Sequence, residues 1–304
     1  MTGTDTLSMR VNLAEPVDVA GSAHFLLRNG DDLMDRWDGH SLARILDTAK
    51  GPLPVRVTPE IPGCVRVDFP RQAGVDADAV AYQIKSLFVH PTAGWEQLLA
   101  ADAALGRIVS QAGVIRPMRL FDPTYCLIRS ISAQQVNLRW ATTLRIRLAQ
   151  TCGRAFRVGD TVVYHLEPEA IIATGRQGLR ELQFSTRKAE YLVAVAEASL
   201  DGHLNLERLT VLPTADLVSQ LCQIRGVGRW TAEWFAVRVL ACPVVVAGDL
   251  VVRKSVGWLY DRTPIPTEAQ VRTLTTTWGP NAAIAQQYVL EAFTTAHAPR
   301  SPNG

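Results

Sequence analysis

No apolar run in the 304 residues approaches the roughly 20 that a membrane-crossing helix requires, which argues against a helical membrane protein. The first residues, Met1 to Thr6, are polar and carry no signal-like apolar core, so the expected location is cytoplasmic. Cysteine is scarce and scattered: Cys64, Cys126, Cys152, Cys222 and Cys242 form no CxxC pair and have no histidine at ligand spacing. A zinc or iron–sulfur cage is therefore not expected, and reduced thiols in or near cores are. Internal repeats and low-complexity tracts are absent too. A formal net charge of +2 identifies no partner by itself.

What is present is a folded composition, 47% apolar and 20% charged, in a chain long enough for two or three sub-domains. The charge is unevenly placed. From Pro123 to Arg154 there are five arginines (Arg129, Arg139, Arg145, Arg147, Arg154) and no acid. Between Arg225 and Lys254, five basic residues face only Glu233 and Asp249. Two basic zones in a near-neutral chain suit a phosphate-lined partner, although solvated helix faces account for either zone alone.

Residues 1 to about 87 differ from the rest. The run "VRVTPEIPGCVRVDFP" alternates around Pro and Gly breaks and predicts short antiparallel strands. Helical spacing in "SLARIL", with Ser41 as N-cap, and in "ADAVAYQIKSLF" predicts helices packed on that sheet. From about residue 88 the pattern turns helical. "WEQLLAADAALGRIVSQA" reads as a helix stopped at Gly113, followed by "PTYCLIRSISA" and a helix from Leu138 capped by Asn137 and ended by Gly153. Ser185 opens the next helix, and Thr214 opens "ADLVSQLCQI". A strand-like "VVVAGD" precedes helices over about 250–258, 267–277 and 281–295. The closing "HAPRSPNG" reads as a loose tail.

The most informative stretch is "LCQIRGVGRWTAEWFAVRVL". Two apolar-faced helices are joined by a short turn holding Gly226, Val227 and Gly228. Glycine permits positive φ and close backbone approach, and N–H groups at the start of the second helix form an anion site. Such a device grips a phosphate without reading a base; Arg229 and Thr231 add a charge and a hydroxyl. An ordinary αα-hairpin closed by glycines fits the same residues.

With "VVVAGDLVVRKSVG" following, and with "DPTYCLIRSISAQQVNLRWA" and "STRKAEYLVAVAEA" before it, the chain resembles the helix-hairpin-helix (HhH-GPD) DNA glycosylase superfamily over roughly residues 88 to 295. Within it, the resemblance is nearest to the bacterial alkylation-repair 3-methyladenine DNA glycosylases. It implies an α+β chain: a mainly helical core of two sub-domains behind an N-terminal antiparallel-sheet α/β domain. The expected division is 1–87 for the sheet domain, 112–248 for the helical domain with the hairpin, and 88–111 with 249–304 for the second helical sub-domain. The implied partner is double-stranded DNA containing damaged bases, bound by a monomer in the cytoplasm or nucleoid.

Asp249 stands before a helix, an N-cap position that suits an anion because N–H donors and the positive helix end face it. The resemblance makes it the catalytic residue. A fixed carboxylate stabilises positive charge on a sugar whose N-glycosidic bond is breaking, or it orients or deprotonates the attacking water. Gly248 leaves room for DNA beside it, and Arg253 and Lys254 are phosphate-contact candidates. Superfamily members that also nick DNA carry a lysine at the start of the second hairpin helix. Here Trp230 stands there, which implies a monofunctional hydrolase without lyase activity.

Trp230 and Trp234, one turn apart, are implied base-pocket residues, with Tyr288 the nearest aromatic on the last helix. An electron-rich indole favours a cationic alkylated purine. In "AAIAQQYVLEAF", Gln286 and Gln287 replace apolar or aromatic residues that relatives often carry, which leaves base preference open. Gln135 is the candidate wedge into the duplex gap, with Gln134 its helper. No cofactor is implied beyond a structural sodium or potassium ion on the backbone carbonyls of Cys222, Ile224 and Val227. Two alternatives stand beside alkylpurine excision: a glycosylase for an oxidised purine, hypoxanthine or uracil, and a non-catalytic binder of damaged DNA.

Overall fold

The computed structural model describes residues 6–72 and 74–297. The N-terminal region forms a five-stranded antiparallel sheet: β1 (Thr6–Asn12), β2 (Arg36–Trp37), β3 (Leu42–Thr48), β4 (Gly51–Ile61) and β5 (Cys64–Pro70). Their order in the sheet is β1-β5-β4-β3-β2. The predicted strands of 55–70 are present as β4 and β5, registered Val57 to Val67. Val55, Val57, Val65, Val67 and Phe69 are buried, as alternation requires. The helices Val19–Leu27 and Ala77–Ser86, capped by the carboxylates of Asp18 and Asp76, cover the sheet.

The expected helix at "SLARIL" is instead β3, with Leu42 opposite Val57. Leu42, Arg44 and Leu46 share one face of the strand, and all three are buried. The arginine in that series disguised the period of two as a period of four. It can be buried because its guanidinium lies 3.2 Å from the Asp35 carboxylate and donates to the Arg119 carbonyl. Ser41 caps nothing helical; its hydroxyl and N–H both donate to Asp38.

The helix expected over 95–112 is two helices, Trp95–Ala101 and Ala103–Ala112. Asp102 breaks them, leaving helical geometry and accepting from the Leu105 N–H at 3.0 Å. Helices Pro123–Ala133, Leu138–Cys152 and Thr186–Leu200 form where expected, with Asp122, Asn137 and Ser185 as their caps. A hairpin of β6 (Gly153–Val158) and β7 (Thr161–Leu166) and the helix Pro168–Glu181 fill the stretch between helices Leu138–Cys152 and Thr186–Leu200, where the sequence pattern announces no element. The strand-like 244–247 is irregular, its Val246 N–H held by the buried Gln286 side chain at 2.7 Å. No described helix is long and apolar enough to cross a membrane. The tail from residue 298 lies outside the described residues.

Side chains pack into two main cores. One runs from the sheet into helices Pro123–Ala133, Leu138–Cys152, Thr186–Leu200 and Arg229–Leu240. The other joins 95–112 to helices Leu250–Leu259 and Ala282–Ala296, with Trp278 fully buried in it. Trp230 and Trp234 lie against the second core from a helix whose other face belongs to the first. The seam between the cores is where the site opens.

Candidate active site and nucleic-acid interface

Asp249 caps helix Leu250–Leu259, as its position in the sequence predicts. Its Oδ1 accepts the Val251 N–H at 2.7 Å and the Val252 N–H at 3.1 Å. Its Oδ2 accepts two indole N–H groups, from Trp230 at 2.7 Å and Trp234 at 3.2 Å. Four donors therefore fill the roughly four lone-pair directions of a carboxylate. The group is fixed from two elements, by the backbone of its own helix and by side chains of the hairpin's second helix. Such a carboxylate is held rigidly in place, where it can face positive charge that develops in the cleft.

Asp249 lies at a cleft of about 560 Å³ in the seam. Trp230, Trp234, Gly248, Leu250 and Val251 border it on the same side. Gln135 and Val136 border it from the loop before helix Leu138–Cys152. Four arginines also line it: Arg28, Arg129, Arg145 and Arg238. Two of them are held by the fully buried Asp32, at 2.9 Å for Arg129 and 2.7 Å for Arg145. Burial pushes the Asp32 carboxyl up, but the two guanidiniums outweigh it and hold the group below the ordinary value. Sequence reasoning missed these arginines as lining residues. The available signal was the four-residue step from Trp230 to Trp234 to Arg238, which puts all three on one helix face.

The two hairpin glycines have different reasons to be there. Gly226 sits at φ +92°, and a Cβ on it would lie 2.2 Å from the Tyr191 ring, so both backbone and space demand glycine. Gly228 has an extended backbone and nothing within 4 Å of its would-be Cβ. It caps helix Arg229–Leu240 with no side-chain bond, leaving the N–H groups of that first turn facing outward. Val227 is buried and anchors the turn, its N–H bonded to the Ile224 carbonyl at 3.0 Å.

Several sequence candidates stand elsewhere than expected. Thr231 is buried, its hydroxyl accepting from Gln134 at 3.3 Å, so it braces the hairpin and offers DNA nothing. Gln134 also reaches the Gly226 carbonyl at 3.4 Å, tying the loop before helix Leu138–Cys152 to the hairpin. Tyr288 does not line the cleft: it is buried against Trp95, ring centroids 6.1 Å apart. Its hydroxyl donates to the Gly113 carbonyl and accepts from Arg116 at 2.7 Å. Arg116 and the Gly113 carbonyl, on the segment after helix Ala103–Ala112, give that tyrosine its polar partners on the core side. Arg229 remains largely exposed with its Nε on Glu233. Arg253 is half-buried on the Pro266 carbonyl at 2.7 Å, and Lys254 is exposed. Gln135 is exposed at φ +55°, a left-handed conformation uncommon outside glycine that turns up at functional sites.

Residues 128–281, just over half of the chain, match the model of the HhH-GPD superfamily of base excision DNA repair proteins. The chain belongs to that superfamily. The matched stretch contains the loop of Gln134 and Gln135, the hairpin and Asp249, but not β1–β5. A Bacillus subtilis relative, YfjP, is 29% identical over 165 residues. That alignment covers 54% of this chain and 56% of the relative, little more than half of either. The 3-methyladenine DNA glycosylase of Archaeoglobus fulgidus is 22% identical, covers 93% of this chain and 97% of its own, and superposes with a TM-score of 0.82. It therefore shares the fold, sheet included. The Schizosaccharomyces pombe 3-methyladenine DNA glycosylase, solved in complex with abasic DNA, is 28% identical with a TM-score of 0.57. It covers 68% of this chain and 98% of its own.

Proposed function

We propose that this superfamily member is a monofunctional DNA glycosylase that excises alkylated purines from double-stranded DNA by hydrolysis. The observation that carries the proposal is the quadruple N–H anchoring of Asp249 in the lining of a cleft large enough for a purine. A base is cut after it leaves the stack and enters such a cleft. As the C1′–N bond stretches, positive charge grows on the sugar, and the fixed carboxylate stabilises it. Water adds to C1′ and loses a proton to solvent, leaving an abasic site and a free base. The names of the relatives support alkylated purines as the substrate class.

The outward N–H groups after Gly228, with exposed Arg229 and Lys254, would hold phosphates on either side of the extruded nucleotide. Gln135, at the cleft edge, would fill the space that the base vacates. A lyase step needs an amine that forms a Schiff base with the sugar. Trp230 occupies the matching position, and no lysine borders the cleft among the described residues. The carbonyls of Cys222, Ile224 and Val227 are compatible with a sodium or potassium ion. The Ile224 carbonyl accepts the Val227 N–H with one lone pair and keeps a second. A bound ion would add positive charge beside the outward helix end.

The test is base release from duplexes carrying 3-methyladenine, hypoxanthine, 8-oxoguanine or uracil, by the wild type and by Asp249→Asn. Wild-type release of an alkylated purine, lost in the variant, with strand breaks only after alkali, supports the proposal. Release by neither protein overturns the enzyme, release by both removes Asp249 from its role, and breaks before alkali overturn the monofunctional assignment.

A further inference from the structure

Trp230 and Trp234 direct their N–H groups to Asp249, which leaves Arg238 as the third side chain of the stripe facing the cleft. Its guanidinium carbon lies 4.9 Å from the centroid of the Trp234 ring. Among the described residues nothing accepts a hydrogen bond from that guanidinium and no carboxylate pairs with it. The other guanidiniums of the wall are engaged. Arg28 donates to Thr294 at 3.1 Å, Arg129 to Asp32 and the Leu26 carbonyl, and Arg145 to Asp32, Ser132 and Thr142. Asp249 is the one carboxylate bordering the cleft among the described residues, and both its oxygens are taken.

Burial, with Arg129 next, pushes the Arg238 guanidinium down to about 10, so it stays charged at neutral pH. Burial pushes the neighbouring Cys126 thiol up to about 12, which keeps it neutral. The cleft is thus lined by four guanidiniums, of which Arg238 alone has an unused set of N–H donors among the described residues. The face of Trp234 is already taken by a cation, so the cation–π advantage expected for a positively charged purine is filled from within the protein.

We infer that Arg238 lets the site also accept an uncharged 6-oxopurine, donating hydrogen bonds to its carbonyl oxygen and ring nitrogen, bonds that a cationic methylated purine does not need to leave. The inference rests on the glycosylase proposal and adds an uncharged base to its substrates. A guanidinium matches the O6 and N7 acceptors of such a base with two parallel bonds. The chemistry points the same way. When the C1′–N9 bond breaks, its electron pair goes to the base. A cationic purine then leaves as a neutral molecule and gains nothing from Arg238. An uncharged purine leaves as an anion, which the guanidinium stabilises until it takes a proton from water. Hypoxanthine is the simplest such base, and its weaker pairing lowers the cost of extrusion.

The experiment is single-turnover excision of hypoxanthine and of 7-methylguanine from otherwise identical duplexes, by the wild type, R238M and R238K. Expected are release of hypoxanthine by the wild type and a loss in R238M of about 30-fold or more on hypoxanthine. Release of 7-methylguanine should stay within about 3-fold, and R238K should recover part of the hypoxanthine rate. Equal losses on the two bases, no loss on hypoxanthine, or a wild type that releases 7-methylguanine alone would overturn the inference. If R238M does not fold, R238K carries the comparison: a loss confined to hypoxanthine supports the inference, and an equal loss overturns it. A wild type that releases neither base nor any other alkylated purine overturns the glycosylase proposal itself.

Discussion

The indole N–H of Trp230 donates to Asp249 Oδ2 at 2.7 Å, and this bond joins the two halves of the site. Trp230 belongs to the second helix of the hairpin, and Asp249 opens the helix that follows the loop. Trp234 adds a second bond to the same oxygen at 3.2 Å. Substituting Trp230→Phe keeps an aromatic wall and removes the shorter donor. Base release should fall about 10-fold, the equivalent of roughly 1.4 kcal/mol, with melting temperature nearly unchanged. Single-turnover rates equal to those of the wild type would show that this bond does not serve the chemistry.

The hairpin glycines should separate in their effects. Gly226→Ala forces a side chain into φ +92° and onto the Tyr191 ring, and should destabilise the protein by about 2 kcal/mol or more in urea titrations. Gly228→Ala meets no neighbour and should stay within about 0.5 kcal/mol of the wild type. Gly228→Asp puts a negative charge on the outward face and should weaken binding to damaged and undamaged duplexes alike. Unchanged affinity for both would remove the hairpin from the DNA interface.

Asp32 ties the segment before β2 to the helices behind the cleft, through Tyr125 at 2.8 Å as well as Arg129 and Arg145. Asp32→Asn leaves two guanidiniums without their anion and should cost about 3–5 kcal/mol at pH 7. Because the folded state holds this carboxyl below its ordinary value, its contribution is present above pH ~4 and disappears as pH falls through the folded value. The gap in stability between variant and wild type should therefore close in acid. A gap independent of pH would show that the charge is not what stabilises.

Asp122 has the opposite sign. Burial, then the nearby Asp47, pushes its carboxyl up to about 6, against the pull of His165. Its contribution to stability is present below the ordinary carboxylate value and is lost as pH rises through about 6. Asp122→Asn keeps the cap on the Tyr125 N–H, now 2.9 Å long, without the charge. Melting curves of the variant relative to the wild type should improve by a few degrees between pH 4 and pH 7, on the order of 1 kcal/mol. A difference that stays flat over that range would refute the assignment.

Local rules written along the chain specified a good deal of this protein. Asn137, Ser185 and Asp249 open helices where a short polar side chain precedes an apolar period, because a cap depends only on residues within one turn of it. Alternation made β4 and β5 legible for the same reason. Local rules failed where a distant partner changed what a residue could do. Arg44 lies buried in β3 because Asp35 and the Arg119 carbonyl receive it. Tyr288 turned into the core toward Arg116 and Gly113, away from the cleft.

The candidate site divides along the same line. Asp249, the two tryptophans and the glycine turn could be picked out from order and spacing, since the helices carrying them are close in the chain. That the tryptophans meet Asp249 through their N–H edges, that Trp234 turns a face to Arg238, and that four arginines wall the cleft came only with tertiary packing. The physical reason is distance along the chain. Arg28 and Arg129 approach Arg238 from elements some 210 and 109 positions away, and the burial and mutual field they share exist only once two separate cores have closed on one seam.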